Sequence, residues 1–270
     1  MNISFGICLG PNFNRDHFKN LVSSIEKNFI TTGISNLFEI IVIIPDNEYD
    51  DNQTSNIKYI PFDESIKKGW ITKKKNIIVE NAIYDNICIV HDYYIFDMNW
   101  YKGVLSHSIA HPNWDVLCNA IYRFEGDRHS DWLVNQHYME QMLQSPYYRD
   151  LNLSQELMQN APLENNGAKW VCGLPYTENK LTHIQYVSGG FIFARKNVFK
   201  TVKLDERYGW GEAPEDIIWS KDVIKNQFKI QFNKYSSVRL QKPHKWKVYE
   251  MPSNVVDILK EMYGKTDNGT

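Results

Sequence analysis

Short apolar runs alternate along the chain with longer polar segments whose hydrophobic positions recur at helical spacing. Ile3 to Leu9 is a continuous apolar run, as expected of a strand buried on both faces, and the loop Gly10-Pro11-Asn12-Phe13-Asn14-Arg15 follows it. A helix is predicted from about Asp16, with Phe18, Leu21, Val22, Ile25 and Phe29 on one face. Phe38 to Ile44 reads as a second strand closed by Pro45-Asp46-Asn47, and Ile57 to Pro61 as a third. Lys73 to Ala82 reads as a helix, and Asn86 to Val90 as a strand ending in His91-Asp92-Tyr93-Tyr94. This order predicts an α/β fold with a mostly parallel central sheet and helices on both faces. Ligands of such sheets collect at the carboxyl ends of the strands.

The second half is less regular. Trp114 to Ala120 is a predicted strand, and Ser130 to Gln144 a predicted helix entered from the loop Arg123 to His129. Pro146, Pro162, Gly167, Gly173 and Pro175 punctuate Ser145 to Thr182, which is expected to be an irregular, acceptor-side region. Tyr186 to Ala194 is an apolar strand interrupted by Ser188-Gly189-Gly190. Two readings of that interruption stand side by side: a close backbone approach to a ligand, or a bulge. Residues 1–111 and 112–270 are read as two halves of one domain.

Composition narrows the classes. With 43% hydrophobic residues in 270, the chain has ample material for a core. Thirty Lys plus Arg face 32 Asp plus Glu, a net charge of −2, which gives no field to draw in nucleic acid. Cys8, Cys88, Cys118 and Cys172 form no Cys-x-x-Cys pair and read as reduced thiols. The first ten residues lack a signal-peptide layout, and no apolar run approaches the ~20 residues of a membrane span. The expectation is a cytoplasmic protein, with peripheral docking at a membrane left open.

The densest chemistry lies in Tyr208-Gly209-Trp210-Gly211-Glu212-Ala213-Pro214-Glu215-Asp216-Ile217-Ile218-Trp219. Acidic residues here precede a helix-patterned segment and lie between tryptophans. A carboxylate held and partly desolvated at such a helix start meets the requirements of a general base; a capped helix start would carry the same residues. No phosphate loop of the Gly-x-x-x-x-Gly-Lys type and no Gly-x-Ser-x-Gly elbow occurs.

Taken in order, a first loop with Arg15, Lys75-Asn76 on a helix, a strand ending at Asp92, the Gly189-Gly190 strand and the Trp-Gly-x-x-x-Glu-Asp block resemble nucleotide-sugar-dependent glycosyltransferases of the GT-A fold. The resemblance spans roughly Ile3 to Trp246 and is nearest to inverting enzymes related to family 2 and to the galactosyl- and N-acetylgalactosaminyltransferase branches. It implies that Asn12, Arg15, Asp46, Lys75, Asn76, His91 and Asp92 lie beside the nucleotide sugar, with Gly189, Gly190 and Trp210 lining the sugar and acceptor pocket. It implies Asp216 as the catalytic base, with Glu215 the neighbouring candidate. His91-Asp92-Tyr93-Tyr94 takes the place of the Asp-x-Asp motif, and His244 that of a late metal-binding histidine.

The chain departs from that pattern in one respect, because only Asp92 is acidic within His91 to Tyr94. Asp92 and His244 together imply a Mn²⁺ or Mg²⁺ site; without one, Lys73, Lys74, Lys75, Lys242 or Lys245 would neutralise the diphosphate. The expected activity is transfer of a hexose or N-acetylhexosamine, with inversion, from a nucleotide-sugar donor to a hydroxyl of a glycan, lipid-linked sugar or other acceptor. Two alternatives remain: a catalytically inactive sugar- or nucleotide-binding protein of the same fold, and a transferase acting on modified DNA bases.

Overall fold

The computed structural model describes residues 1–33, 37–49, 57–126, 128–129, 131–135, 171–173, 185–210 and 212–242. The first half runs β1 (Ile3–Cys8), α1 (Arg15–Ile30), β2 (Phe38–Pro45), a 3-10 turn (Asp46–Glu48), β3 (Ile57–Phe62), α2 (Ile71–Asn81), β4 (Asn86–His91), β5 (Tyr94–Phe96) and α3 (Trp100–Ala110). The second half adds β6 (Val116–Tyr122), β7 (Trp132–Asn135), β8 (Val171–Gly173), β9 (Gln185–Val187), β10 (Phe191–Arg195), α4 (Lys196–Thr201), α5 (Glu215–Lys225) and β11 (Ile230–Leu240).

Eight strands form one sheet in the order β3-β2-β1-β4-β10-β6-β11-β5, and β8-β7-β9 form a second, smaller sheet. The first four strands are parallel, β10 runs antiparallel between β4 and β6, and β11 is parallel to β6. Strands from both halves of the chain therefore share the main sheet. The carboxyl ends of β1, β2 and β4 line one edge, and the reversed β10 begins at that same edge.

Both faces of the sheet are covered, which is why its strands read as unbroken apolar runs. Ile3, Phe5 and Ile7 of β1 pack with Leu21 and Phe29 of α1 and with Trp100 and Tyr101 of α3. On the opposite face Ile41, Ile43 and Ile89 pack with Ile78 of α2, Val198 of α4 and Ile217 and Trp219 of α5. Gly6 lies under α2 so closely that a β-carbon there would meet Ile78 Cγ2 at 2.3 Å. Asn14 caps α1, its side chain accepting from the N–H groups of Asp16 and His17 at 2.9 and 3.1 Å.

The structure departs from the sequence reading at several elements. Within the predicted helix Ser130–Gln144, Trp132–Asn135 is a strand paired with β8 and β9, and residues 136–144 lie outside the described residues. The aromatic and branched run Trp-Leu-Val satisfies a strand as well as a helix, and pairing decides between them. The stretch Ser145–Thr182, read as irregular, contains β8, and the rest of it is outside the described residues. Ser188-Gly189-Gly190 is not a bulge: it is the turn by which the chain leaves β9 in the small sheet and enters β10 in the main one. Asp131, just before β7, is buried, binds Arg128 at 2.7 Å and accepts the Ile121 N–H at 3.1 Å. Cys8, Cys88 and Cys118 are buried free thiols, as expected. Among the described residues no helix is long and apolar enough to cross a membrane.

Candidate active site

Three elements far apart in sequence meet at the edge where β10 begins. Lys75, from the middle of α2, is 0% exposed; its Nζ donates to the Gly189 carbonyl at 2.9 Å and pairs with Glu215 Oε1 at 3.3 Å. The N–H of Gly189 in turn donates to Asp216 Oδ2 at 3.0 Å. One residue, Gly189, thus links the lysine to the carboxylate, through its carbonyl and its N–H. The N–H of Ile217 donates to Asp216 Oδ1 at 2.9 Å, and both acids stand in the first turn of α5.

These surroundings pull the Asp216 carboxyl in opposite directions. Burial, followed by the charge of Glu215, pushes it up to about 7, against the Lys75 ammonium and the two backbone N–H groups. Desolvation wins because partial charges at a helix start contribute less than removal of a carboxylate from water. Glu215 and Asp216 are thereby distinguished: Glu215 is paired with a buried ammonium, whereas Asp216 carries the raised carboxyl.

The glycines of the turn are required by side chains. A β-carbon on Gly189 would lie 2.8 Å from Glu215 Oε1 and 3.3 Å from Asp216 Oδ2, and one on Gly190 would lie 2.9 Å from the Tyr94 hydroxyl. Tyr93 and Tyr94 stack at 5.0 Å, the Tyr94 hydroxyl hydrogen-bonds with Ser188, and His91 Nδ1 is 2.9 Å from the Tyr93 hydroxyl. Burial, then the charges of Lys75, Lys242 and Lys74, push the His91 imidazole down to about 3, and its buried Nε2 has no hydrogen-bond partner among the described residues. His91 is accordingly neutral.

Asp92 follows β4, between His91 and Tyr93. Burial raises its carboxyl, opposed by the Lys242 ammonium and the N–H of Asn14. Lys242 Nζ lies 4.9 Å from the centre of the Tyr93 ring. No group of three or more His, Cys, Asp or Glu side chains able to hold a metal occurs among the described residues, and His244 lies outside them. Asp92 alone does not make up the oxygen-rich shell that Mn²⁺ or Mg²⁺ takes.

The remaining expected residues divide between the rim and the scaffold. Asn12 and Arg15 follow β1, and Asp46 opens the turn after β2, so all three sit on the edge that carries His91 and Asp92. Arg15 is ion-paired to Glu48, and Asp46 accepts the N–H of Asn47 at 3.0 Å. Asn76 is spent on the scaffold: its amide donates to the Leu204 carbonyl and Glu206 Oε1, both at 2.9 Å, and its oxygen accepts the Leu204 N–H at 3.2 Å. Lys73 pairs with Glu206 at 3.0 Å, and Lys74 pairs with Glu64 while donating to the Leu9 carbonyl at 2.8 Å. All three lysines of α2 are therefore held by carboxylates.

The same helix and the loop before it grip the segment leading into α5. Trp70 Nε1 donates to the Glu206 carbonyl and Thr72 Oγ1 to that of Tyr208, both at 2.6 Å, while the N–H of Trp210 donates to Gly69 at 2.8 Å. Trp210 is held there with its ring 66% exposed. Neither Glu64 nor Glu206 stands out in the sequence. Three consecutive lysines beside the apolar run Ile77-Ile78-Val79 are the one signal that acidic partners must exist.

No protein-family model matches the sequence, and no curated protein matches it. Solved structures do match. S. aureus TarS 1–349 in complex with UDP-GlcNAc matches with a TM-score of 0.58 at 15% identity, over 97% of this chain and 65% of that one. The same fragment alone matches with a TM-score of 0.53 at 14% identity over 88% and 60%, and its complex with UDP with a TM-score of 0.53 at 15% identity over 89% and 61%. The chain spans less than two thirds of these neighbours' length. The sheet order, the reversed β10 at the rim and these matches together identify the chain as a GT-A fold.

Proposed function

We propose that the protein is an inverting glycosyltransferase that moves a sugar from a nucleotide-sugar donor to a hydroxyl acceptor, with Asp216 as general base. One observation carries this reading: a carboxyl pushed up to about 7 is held by the Gly189 N–H at the start of α5, on the sheet edge where ligands of this architecture bind. The UDP-GlcNAc complex of a protein with the same fold supports the donor class. The halves 1–111 and 112–270 then serve the nucleotide and the acceptor.

The acceptor hydroxyl gives its proton to Asp216 as its oxygen attacks the anomeric carbon, and the nucleoside diphosphate leaves from the opposite face. Of the two adjacent acids, Asp216 suits this step because Glu215 already serves Lys75. Trp210 offers an exposed aromatic face to a sugar ring. Arg15 and Lys242 bring positive charge to the rim where the diphosphate gathers negative charge. A Mn²⁺ or Mg²⁺ ion held by Asp92 and His244 would act there as a Lewis acid.

The test is Asp216→Asn with UDP-GlcNAc as the donor probe, following release of UDP to water and to a panel of sugar acceptors. Turnover is expected to fall about 10²- to 10⁴-fold with UDP binding unchanged. Undiminished turnover would refute the base assignment. A non-catalytic nucleotide-sugar-binding protein is the second reading, favoured by Tyr93 standing among the residues that replace a two-carboxylate motif; UDP binding without turnover on any donor of a nucleotide-sugar panel would establish it.

A further inference from the structure

We propose that Lys75 is a positioning residue for Asp216: from the middle of α2 it holds both the Gly189 carbonyl and the Glu215 carboxylate, and so fixes the turn and the charge against which Asp216 exchanges its proton. The functional meaning of this inference rests on Asp216 being the base; the physical linkage does not.

The contacts form a closed circuit. Lys75 Nζ binds the Gly189 carbonyl and the Glu215 carboxylate, the Gly189 N–H binds Asp216 Oδ2, and Glu215 and Asp216 are consecutive in α5. The Gly189 N–H and carbonyl belong to successive peptide groups, so with Asp216 on one and Lys75 on the other, rotation about φ or ψ of Gly189 strains one of the two bonds. A fully buried ammonium is a costly way to fill space, since desolvation and ordering of a long chain offset the Coulomb gain, and an apolar residue of similar volume packs as well. Stability alone therefore gives Lys75 little reason to be charged. Its charge matters to the two acids beside it: without it, adjacent carboxylates out of water repel and share a proton.

Other titratable groups face the circuit from each neighbouring element. From α2, Lys74 is neutralised by Glu64. From β1, Cys8 is held protonated by burial, its thiol pushed up to about 11. From the end of β4 and the start of β5, His91 is neutral, Tyr93 is held protonated well above its ordinary range, and Tyr94 is hydrogen-bonded with Ser188. Among the described residues, Lys75 and Glu215 are the side-chain charges acting on Asp216.

The experiment is a ¹³C NMR titration of the Asp216 carboxyl in wild type, Lys75→Met, Glu215→Gln, Lys75→Met/Glu215→Gln and Lys75→Arg. The midpoint is expected to rise by about 1 pH unit or more in Lys75→Met, to fall in Glu215→Gln and to stay near wild type in Lys75→Arg. If Lys75→Met does not fold, the double variant read against Glu215→Gln gives the same upward displacement with no buried charge left unpaired. A midpoint unmoved or lowered by loss of Lys75 overturns the proposal, because a lysine that merely packs would change melting temperature alone. UDP release from UDP-GlcNAc followed against pH should show the ascending limb displaced in the same directions. Full turnover by Asp216→Asn would instead sink the base assignment and leave the NMR result standing.

Discussion

The Gly189 N–H donates to Asp216 Oδ2 at 3.0 Å, and a methyl group on Gly189 would come within 2.8 Å of Glu215 Oε1. The carboxylate on which the chemistry rests is thus seated against a backbone that has no room for a side chain. Gly189→Ala is expected to keep the fold, with a cost of about 1–3 kcal/mol from overpacking, read as a lowered melting temperature. Displacement of the two acids should lower the transfer rate by about 10²-fold. Wild-type turnover in this variant would mean that the turn does not position Asp216.

Activity and stability should respond to pH in opposite senses. A protonated Asp216 cannot accept the acceptor's proton, so kcat/KM is expected to climb with pH through a midpoint of about 7. The folded carboxyl binds its proton more tightly than the unfolded one. The stability this contributes is present in acid and lost as pH rises from the ordinary carboxylate range through about 7. Asp216→Asn should therefore raise the melting temperature relative to wild type more at pH 8 than at pH 5. Scanning fluorimetry across that range checks the sign, and an equal difference at both values contradicts it.

Asn76 makes three hydrogen bonds to the segment Leu204–Glu206. Asn76→Ala removes partners from two backbone groups of Leu204 and from one oxygen of Glu206, so a loss of about 1–3 kcal/mol is expected in denaturant unfolding. UDP affinity, measured by calorimetry under native conditions, should be unchanged. A large loss of UDP affinity at unchanged stability would return Asn76 to the nucleotide pocket, where the resemblance placed it.

Two charges at the rim can be separated by calorimetry of UDP with Mn²⁺ and with EDTA. Lys242→Ala is expected to weaken UDP about 10-fold under both conditions, as loss of one charge-assisted contact would. Asp92→Ala is expected to weaken UDP in Mn²⁺ only. If Asp92→Ala binds UDP as wild type does under both conditions, Asp92 holds no cation.

The sheet was legible because its strands are buried on both faces: β1, β2 and β4 announce themselves as runs of Ile, Val and Phe. Where the chain is half polar or irregular, the pattern failed. β11 shifts register between Asn233 and Ser237, which breaks the alternation that would have marked it, and the middle of α3 carries Gly103 among Ser and His. Asp216, Glu215 and Gly189 stand out in the sequence as chemistry-bearing types, and the structure brings them together with Lys75. What spacing could not convey is how the lysines divide their partners. Lys75 and Glu215 are separated by 140 positions, and nothing local in either announces the other.

Lys73, Lys74 and Lys75 reach Glu206, Glu64 and Glu215, three carboxylates approached from three sides of one helix. Successive helical residues point about 100° apart, so the register of α2 is fixed like a key in a lock with three wards. Insertion or deletion of one residue between Ile71 and Lys73 would swing all three ammonium groups off their partners at once. Length changes at that spot should be far more damaging than any single lysine replacement.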